Sequence, residues 1–115
     1  MEPHVVTALK EWKTEIHTLL EHIDQEYEET RSDLQVYTYK YNITKQVVQS
    51  TVNEEIIRNI REQYQKQFES KFNDLKGSIK ELEERKKVYQ MFIDKIDKVL
   101  EKGDERSPSI QAETY

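Results

Sequence analysis

Apolar side chains recur at steps of three and four residues along most of this 115-residue chain. No Gly or Pro interrupts the first run, and a second run from Phe68 to Leu100 keeps the same spacing. Steps of three and four place side chains on one face of an α-helix, and long faces of this kind pack against other helices. The sequence therefore predicts an all-α coiled-coil fold. The first run comprises Leu9, Trp12, Ile16, Leu19, Leu20, Ile23, Tyr27, Leu34, Tyr37 and Tyr41, and Val48 continues it.

The heptad phase changes near the middle of the chain, and such a change marks a turn or a local unwinding. Thr51 and Glu54 match the Thr-x-x-Glu capping box, and Ser50 and Asn53 are further N-cap candidates. We therefore expect a long antiparallel two-helix coiled-coil hairpin, with one helix over residues 4–49 and the other over 52–102. Folding about residue 51 places Trp12 near Tyr89 and Tyr41 near Ile60.

Two features of the second half bear on the boundaries of its helix. Gly77 precedes a Ser-x-x-Glu sequence, Ser78 to Glu81, that is typical of a helix end followed by a new start. The heptad phase passes through Gly77 unchanged, so we favour one helix and keep a break there as the alternative. Residues 103–115 are polar, lack periodicity and contain Gly103 and Pro108, which predicts a flexible C-terminal tail beyond the 1–102 hairpin.

Composition restricts the classes of protein to which the chain can belong. The chain is 36% charged. It contains no cysteine and therefore has no disulfide, thiolate metal site or cysteine nucleophile. No apolar stretch approaches the roughly 20 residues that a membrane-spanning helix needs, so we expect no membrane insertion. The N-terminal residues do not resemble a signal peptide. We expect a cytoplasmic location, with export that needs no cleavable signal peptide as the alternative.

The charge pattern argues against nucleic-acid binding. Residues 1–50 hold nine acidic and five basic groups, and the basic groups of the second half have acidic neighbours, as in Glu83-Glu84-Arg85-Lys86. Binding to phosphates requires clustered Lys and Arg with few acids between them. We therefore predict that nucleic acid is not a partner.

Residues that could support catalysis or hold a ligand are few. The only glycines are Gly77 and Gly103, so a glycine-rich phosphate loop is excluded. His17 and His22 each precede a glutamate by four residues, but neither has the Glu-x-x-His spacing of di-iron carboxylate helices. We interpret both as surface residues and predict no enzymatic activity, no catalytic residue, no metal and no cofactor.

A surplus of apolar residues lies off the heptad face. On the first helix these residues are spaced by three, four and four, roughly 135° around the helix from that face. A two-helix hairpin buries one face of each helix, so the surplus would stay exposed, and contiguous exposed apolar surface is typical of an interface. We predict partner binding by Val36, Tyr39, Ile43 and Val47 on the first helix and by Ile56, Val88, Phe92 and Val99 on the second.

These features favour a non-enzymatic helical adaptor or accessory protein that completes a bundle with a helical partner protein. A homodimer, as in a self-assembling coiled-coil scaffold or spacer, is an alternative.

The size, the absence of a leader and the two-helix build are also similar to the WXG100-like proteins and LXG-toxin-associated partners of bacterial type VII secretion. That resemblance implies escort of a helical protein to the secretion machine. The chain departs from the Trp-x-Gly turn of that group, because Trp12 is followed by Lys13 and Thr14 and lies far from the expected turn.

Overall fold

The structure is a computed structural model that describes the side chains of residues 1–102. Its helical segments are α1 (Pro3–Ser50), α2 (Glu54–Ile60), a π-helical segment (Arg61–Gln65) and α3 (Lys66–Thr114). The last three segments follow one another without interruption and form the second arm of a helical hairpin, of which α1 is the first arm. The predicted all-α hairpin with two long helical arms is thus confirmed. The predicted flexible tail, 103–115, lies outside the residues whose side chains the structure describes.

Three residues, Thr51 to Asn53, connect the arms, and they place the start of the second arm two residues later than predicted. The N-cap is Asn53, whose Oδ1 accepts hydrogen bonds from the backbone N–H groups of Glu55 (3.0 Å) and Ile56 (3.2 Å). Thr51 does not form the expected capping box. Its hydroxyl instead donates to the carbonyl oxygen of Val47 at 2.6 Å, so it satisfies an acceptor at the end of α1. Asn53 takes the cap because its side chain reaches two free N–H groups of the next turn.

The π-helical segment accommodates one extra residue in the heptad pattern of the second arm. Ile57 and Ile60 are half-buried, and the next half-buried residues are Gln65 and Phe68. Ile60 and Gln65 are five residues apart, where a heptad would require four, and a π-helical turn absorbs one such insertion. The change of register in the sequence therefore has two causes, the turn at Thr51–Asn53 and this segment.

Gly77 lies inside α3, so the alternative of a helix break at this position is wrong. The backbone there is an ordinary right-handed helix without a positive φ angle. Glycine costs a helix roughly 1 kcal/mol relative to alanine. The packing of the flanking turns, with Leu75 on one side and Ile79 on the other, offsets that cost and keeps the helix continuous.

The hairpin divides into two compact units. The terminal unit contains Met1–Gln25 of the first arm and the second arm from Glu84 onward, and the turn unit contains Glu26–Glu83. The terminal unit has an aliphatic core, and in the turn unit aromatic rings join the arms. The core of the terminal unit comprises Ile16, Leu20, Ile93 and Ile96, with Leu9, Tyr89 and Leu100 packed against it.

The antiparallel direction of the arms matches the prediction, but their register is displaced. The ring of Trp12 contacts Phe92, three residues beyond the expected Tyr89. The ring of Tyr41 contacts Phe72, well beyond the expected Ile60. The second arm begins later than predicted and contains the extra residue of the π-helical segment. Residues that face α1 therefore have higher numbers than a turn about residue 51 implies.

Candidate partner-binding surfaces

Four apolar side chains on the outer face of α1 form the first candidate surface, here called the α1 stripe. They are Val36, Tyr39, Ile43 and Val47, and their exposed fractions range from 46% at Val47 to 71% at Tyr39. The α1 residues that pack against the second arm are instead Tyr37, Tyr41, Thr44 and Val48, which are half-buried or buried. All four residues of the α1 stripe are therefore available to a partner, and their role in binding stays a prediction.

The α1 stripe lies in a segment that carries almost no charge. Lys40 and Lys45 are the only charged residues between Asp33 and Glu54, in a chain that is 36% charged overall. Both lie over aromatic rings. The Nζ of Lys40 is 4.9 Å from the ring centroid of Tyr37, and the Nζ of Lys45 is 4.6 Å from that of Tyr41. These cation–π contacts draw both ammonium groups towards Tyr37 and Tyr41, the rings that pack against the second arm.

Aromatic contacts between the arms hold this part of α1 in place. The ring centroids of Tyr37 and Phe68 are 6.1 Å apart, and those of Tyr41 and Phe72 are 5.7 Å apart. Tyr64, displaced from the inner face by the π-helical segment, lies against Phe68 at 6.0 Å. These separations fall in the range of favourable ring pairs, each worth about 0.5–1.5 kcal/mol beyond its buried area. They fix the rotation of α1 in the turn unit and so direct the α1 stripe outward.

The second candidate surface lies in the terminal unit and is larger than the sequence indicated. Val88 and Phe92 are exposed as predicted, whereas Val99 is half-buried, and the role of all three in partner binding stays a prediction. The remaining predicted residue, Ile56, is exposed but belongs to the turn unit. We call the exposed apolar residues of the terminal unit the terminal patch. It comprises Trp12, Leu19, Val88, Met91 and Phe92, which are between 40% and 55% exposed.

The apolar spacing predicts Trp12 and Leu19 on the inner heptad face, and this prediction is wrong because both are exposed. The inner face uses Leu9, Lys13, Ile16 and Leu20, a strict sequence of steps of four, three and four. Lys13 is half-buried at this inner position, as a long amphipathic side chain can be, and its ammonium group pairs with Asp97 of the second arm. The strict heptad count from Ile16 back to Leu9 is the signal that could have located Trp12 outside the core.

The two flanks of the terminal unit differ in chemistry. On one flank Trp12 meets Phe92 edge to face, with ring centroids 5.6 Å apart, and this contact joins the arms across the terminal patch. Two further inter-arm contacts are ion pairs. The Nζ of Lys13 is 2.5 Å from Asp97 Oδ1, and the Nζ of Lys86 is 2.7 Å from Asp24 Oδ1. At 100° per residue, Lys13 and Asp24 lie on the opposite flank of α1 from Trp12. One flank is therefore apolar and the other is ion-paired.

The described residues also contain two surface grooves. Over residues 1–102, no group of three or more His, Asp or Glu side chains lies close enough together to hold a metal ion. One shallow groove on the second arm is lined by Glu54, Arg58, Arg61 and Glu62 among others, so it carries both signs of charge. A second, apolar groove is lined by Val88, Met91, Phe92 and Lys95 and belongs to the terminal patch.

Comparison with known proteins adds no identity to these surfaces. No protein-family model, curated protein or solved structure matches the chain. The resemblance to WXG100-like proteins therefore stays a hypothesis. Across the described residues, none of the helices combines the length and the hydropathy of a membrane span.

Proposed function

We propose that this chain is a helical adaptor that binds an α-helix of another protein along the α1 stripe. The observation that carries the proposal is the exposure of the stripe. Four apolar residues spaced by three and four lie on the face of α1 that the second arm does not cover, and Tyr39 is 71% exposed. Contiguous exposed apolar surface of this kind is uncommon outside binding sites.

The geometry of the α1 stripe fits a helix better than a loop or a strand. From Val36 to Val47 the stripe covers three turns, roughly 17 Å of α1 at 1.5 Å per residue. A row of side chains at steps of three and four is complementary to a second row with the same period. A partner helix of about 12–18 residues with its own apolar face would cover the stripe completely.

The low charge of the segment supports burial in an interface. Interface cores are depleted in charged residues and enriched in aromatic ones, and this face of α1 offers Tyr39 with the uncharged Asn42 and Gln46 beside it. No carboxylate lies in the sequence between Asp33 and Glu54, so a partner helix would not have to desolvate one on α1. The α1 stripe would thus supply affinity through apolar contact, and the more distant acidic residues of α1 would affect mainly the association rate.

Photo-cross-linking from the α1 stripe in the native cell tests this proposal. A photoreactive residue in place of Ile43 should give one discrete adduct with a different protein. The matched control is the same residue in place of Gln49, which is exposed on α1 about 120° away. A purified helical segment of the captured protein should then bind the full chain, and Val36→Glu should weaken that binding at least tenfold. Equal adducts from both positions, or an adduct of the chain with itself at Ile43, would contradict the adaptor and favour a scaffold.

A further inference from the structure

All residues of the terminal patch except Met91 belong to a second heptad face that runs along both arms of the terminal unit. On the first arm Trp12, Glu15 and Leu19 follow one another at steps of three and four. On the second arm the corresponding face begins at Arg85 and keeps strict steps of three and four. Helices that pack in a bundle have such a second face beside the first, whereas helices of an isolated hairpin need only one. The second-arm members are Arg85, Val88, Phe92, Lys95, Val99 and Lys102.

This face has one charge sign on each arm. On the first arm of the terminal unit its ionised residue is Glu15, between Trp12 and Leu19. On the second arm Lys95 lines the apolar groove beside Val88 and Phe92, and Arg85 and Lys102 extend the same face. The terminal patch therefore has an acidic edge and a basic edge, with apolar side chains between them.

A surface of this kind is complementary to itself. A two-fold axis parallel to the helices brings the first arm of one copy against the second arm of the other, so that an acidic edge meets a basic edge on both sides. The contacts Trp12–Phe92 and Lys13–Asp97 place Glu15 and Lys95 at a similar level along the terminal unit. Glu15 of each copy would then face Lys95 of the other. A two-fold axis perpendicular to the helices would instead place acid against acid and base against base.

We infer that two copies of this chain associate through the terminal patch into a four-helix arrangement, with the first arm of each copy against the second arm of the other. The interface is distinct from the α1 stripe and does not rest on the proposed adaptor function.

The size of the terminal patch sets the expected strength of the dimer. Trp12 and Phe92 are about two-fifths exposed, which leaves roughly 80–100 Å² of each, and the five side chains together expose on the order of 300–400 Å². A stable interface buries about 800 Å² per partner, of which a little over half is apolar. The terminal patch supplies most of the apolar area that such an interface needs from each partner, and no more than that. We expect a reversible dimer with a dissociation constant on the order of micromolar.

Sedimentation velocity on the full chain, from about 1 to 200 µM, tests the inference. The weight-average mass should rise with concentration from the 13.9 kDa of one chain towards twice that value. Val88→Glu should raise the dissociation constant at least tenfold. Val36→Glu, the same substitution at a similarly exposed valine of the α1 stripe, should leave it unchanged, and circular dichroism should show equal helicity in both variants. A monomer at every concentration, a dimer insensitive to Val88→Glu, or a dimer lost in Val36→Glu would each overturn the inference.

A charge exchange tests the arrangement without removing an apolar contact. Glu15→Lys or Lys95→Glu alone should weaken the dimer severalfold, because each places like charges opposite one another. The double variant should restore most of the affinity, since the pair is re-formed with its signs reversed. If each single variant weakens the dimer and the double variant weakens it further, Glu15 does not face Lys95 and the arrangement is wrong. If neither single variant has an effect, the charged edges are not at the interface and the inference fails.

Discussion

The two units of the hairpin join the same two arms with different chemistry. In the terminal unit aliphatic side chains from both arms are almost fully buried, with Ile16 at 2% and Ile93 at 3% exposure. In the turn unit half-buried aromatic rings, such as Tyr37 with Phe68, join the arms beside the buried aliphatic residues Val48, Leu75 and Leu82. The inner face there also contains Thr44, whose hydroxyl donates to the carbonyl oxygen of Lys40, and Gln65. A buried apolar residue contributes more to stability than a half-buried or polar one at the same position.

The turn unit has two features that lower its stability, and it also carries one of the candidate binding surfaces. The amide oxygen of Gln65 is buried without a hydrogen-bond partner from the described chain, and the π-helical segment lies beside it. Both features cost free energy in the turn unit. The turn unit also carries the α1 stripe, so the face proposed to bind a partner lies in the unit that contains both of these features. Binding surfaces are often found in the less stable parts of proteins.

The largest expected effect comes from truncation of the aliphatic core. Ile93→Ala should lower the free energy of unfolding by about 2–4 kcal/mol, because it removes buried methyl groups and leaves a cavity among Ile16, Leu20 and Ile96. Denaturant titration followed by circular dichroism measures the loss. Val88→Ala, on the same helix but 41% exposed, is the control and should cost less than about 1 kcal/mol. A loss below about 1 kcal/mol at Ile93 would show that the core of the terminal unit is not the main source of stability.

The fold class was predictable from the sequence because spacing alone reports which side chains share a face of a helix. The hairpin required only the change of heptad phase near the middle and the capping residues beside it. The exact register was not predictable, because it depends on one residue absorbed at Arg61–Gln65 and on which of two neighbouring candidates caps the second arm. In each case the competing structures differ in free energy by a few kcal/mol at most. The spacing of apolar residues does not resolve so small a difference.

The candidate surfaces were predictable to different degrees. The α1 stripe was found in full because its four residues lie far from the inner face and cannot be confused with it. The terminal patch was found only in part. Trp12 and Leu19 adjoin the inner face, and a count of apolar residues prefers them to Lys13, whose ion pair with Asp97 becomes apparent only once the arms are in register.

A smaller effect of opposite sign is expected at Gly77 in the turn unit. A Cβ atom added there would have no heavy atom within 4 Å, and the backbone is already helical. Gly77→Ala should therefore raise the free energy of unfolding by about 1 kcal/mol, because alanine loses less conformational entropy in a helix than glycine does. Thermal and denaturant unfolding of the full chain measure the gain. A decrease in stability would mean that the helix bends or opens at Gly77, within the turn unit.

The smallest effect is expected from the ion pairs between the arms of the terminal unit. The side chains of Lys13 and Asp97 are 31% and 47% exposed, so solvent screens their attraction strongly. A double-mutant cycle with Lys13→Met and Asp97→Asn should give a coupling of about 0.2–1 kcal/mol in dilute buffer. In about 1 M NaCl the Debye length falls to about 3 Å and most of the coupling should disappear. A coupling that survives high salt would mean that the pair is shielded from solvent. Association of two chains through the terminal patch would not produce that result, because the pair lies on the opposite flank of the terminal unit.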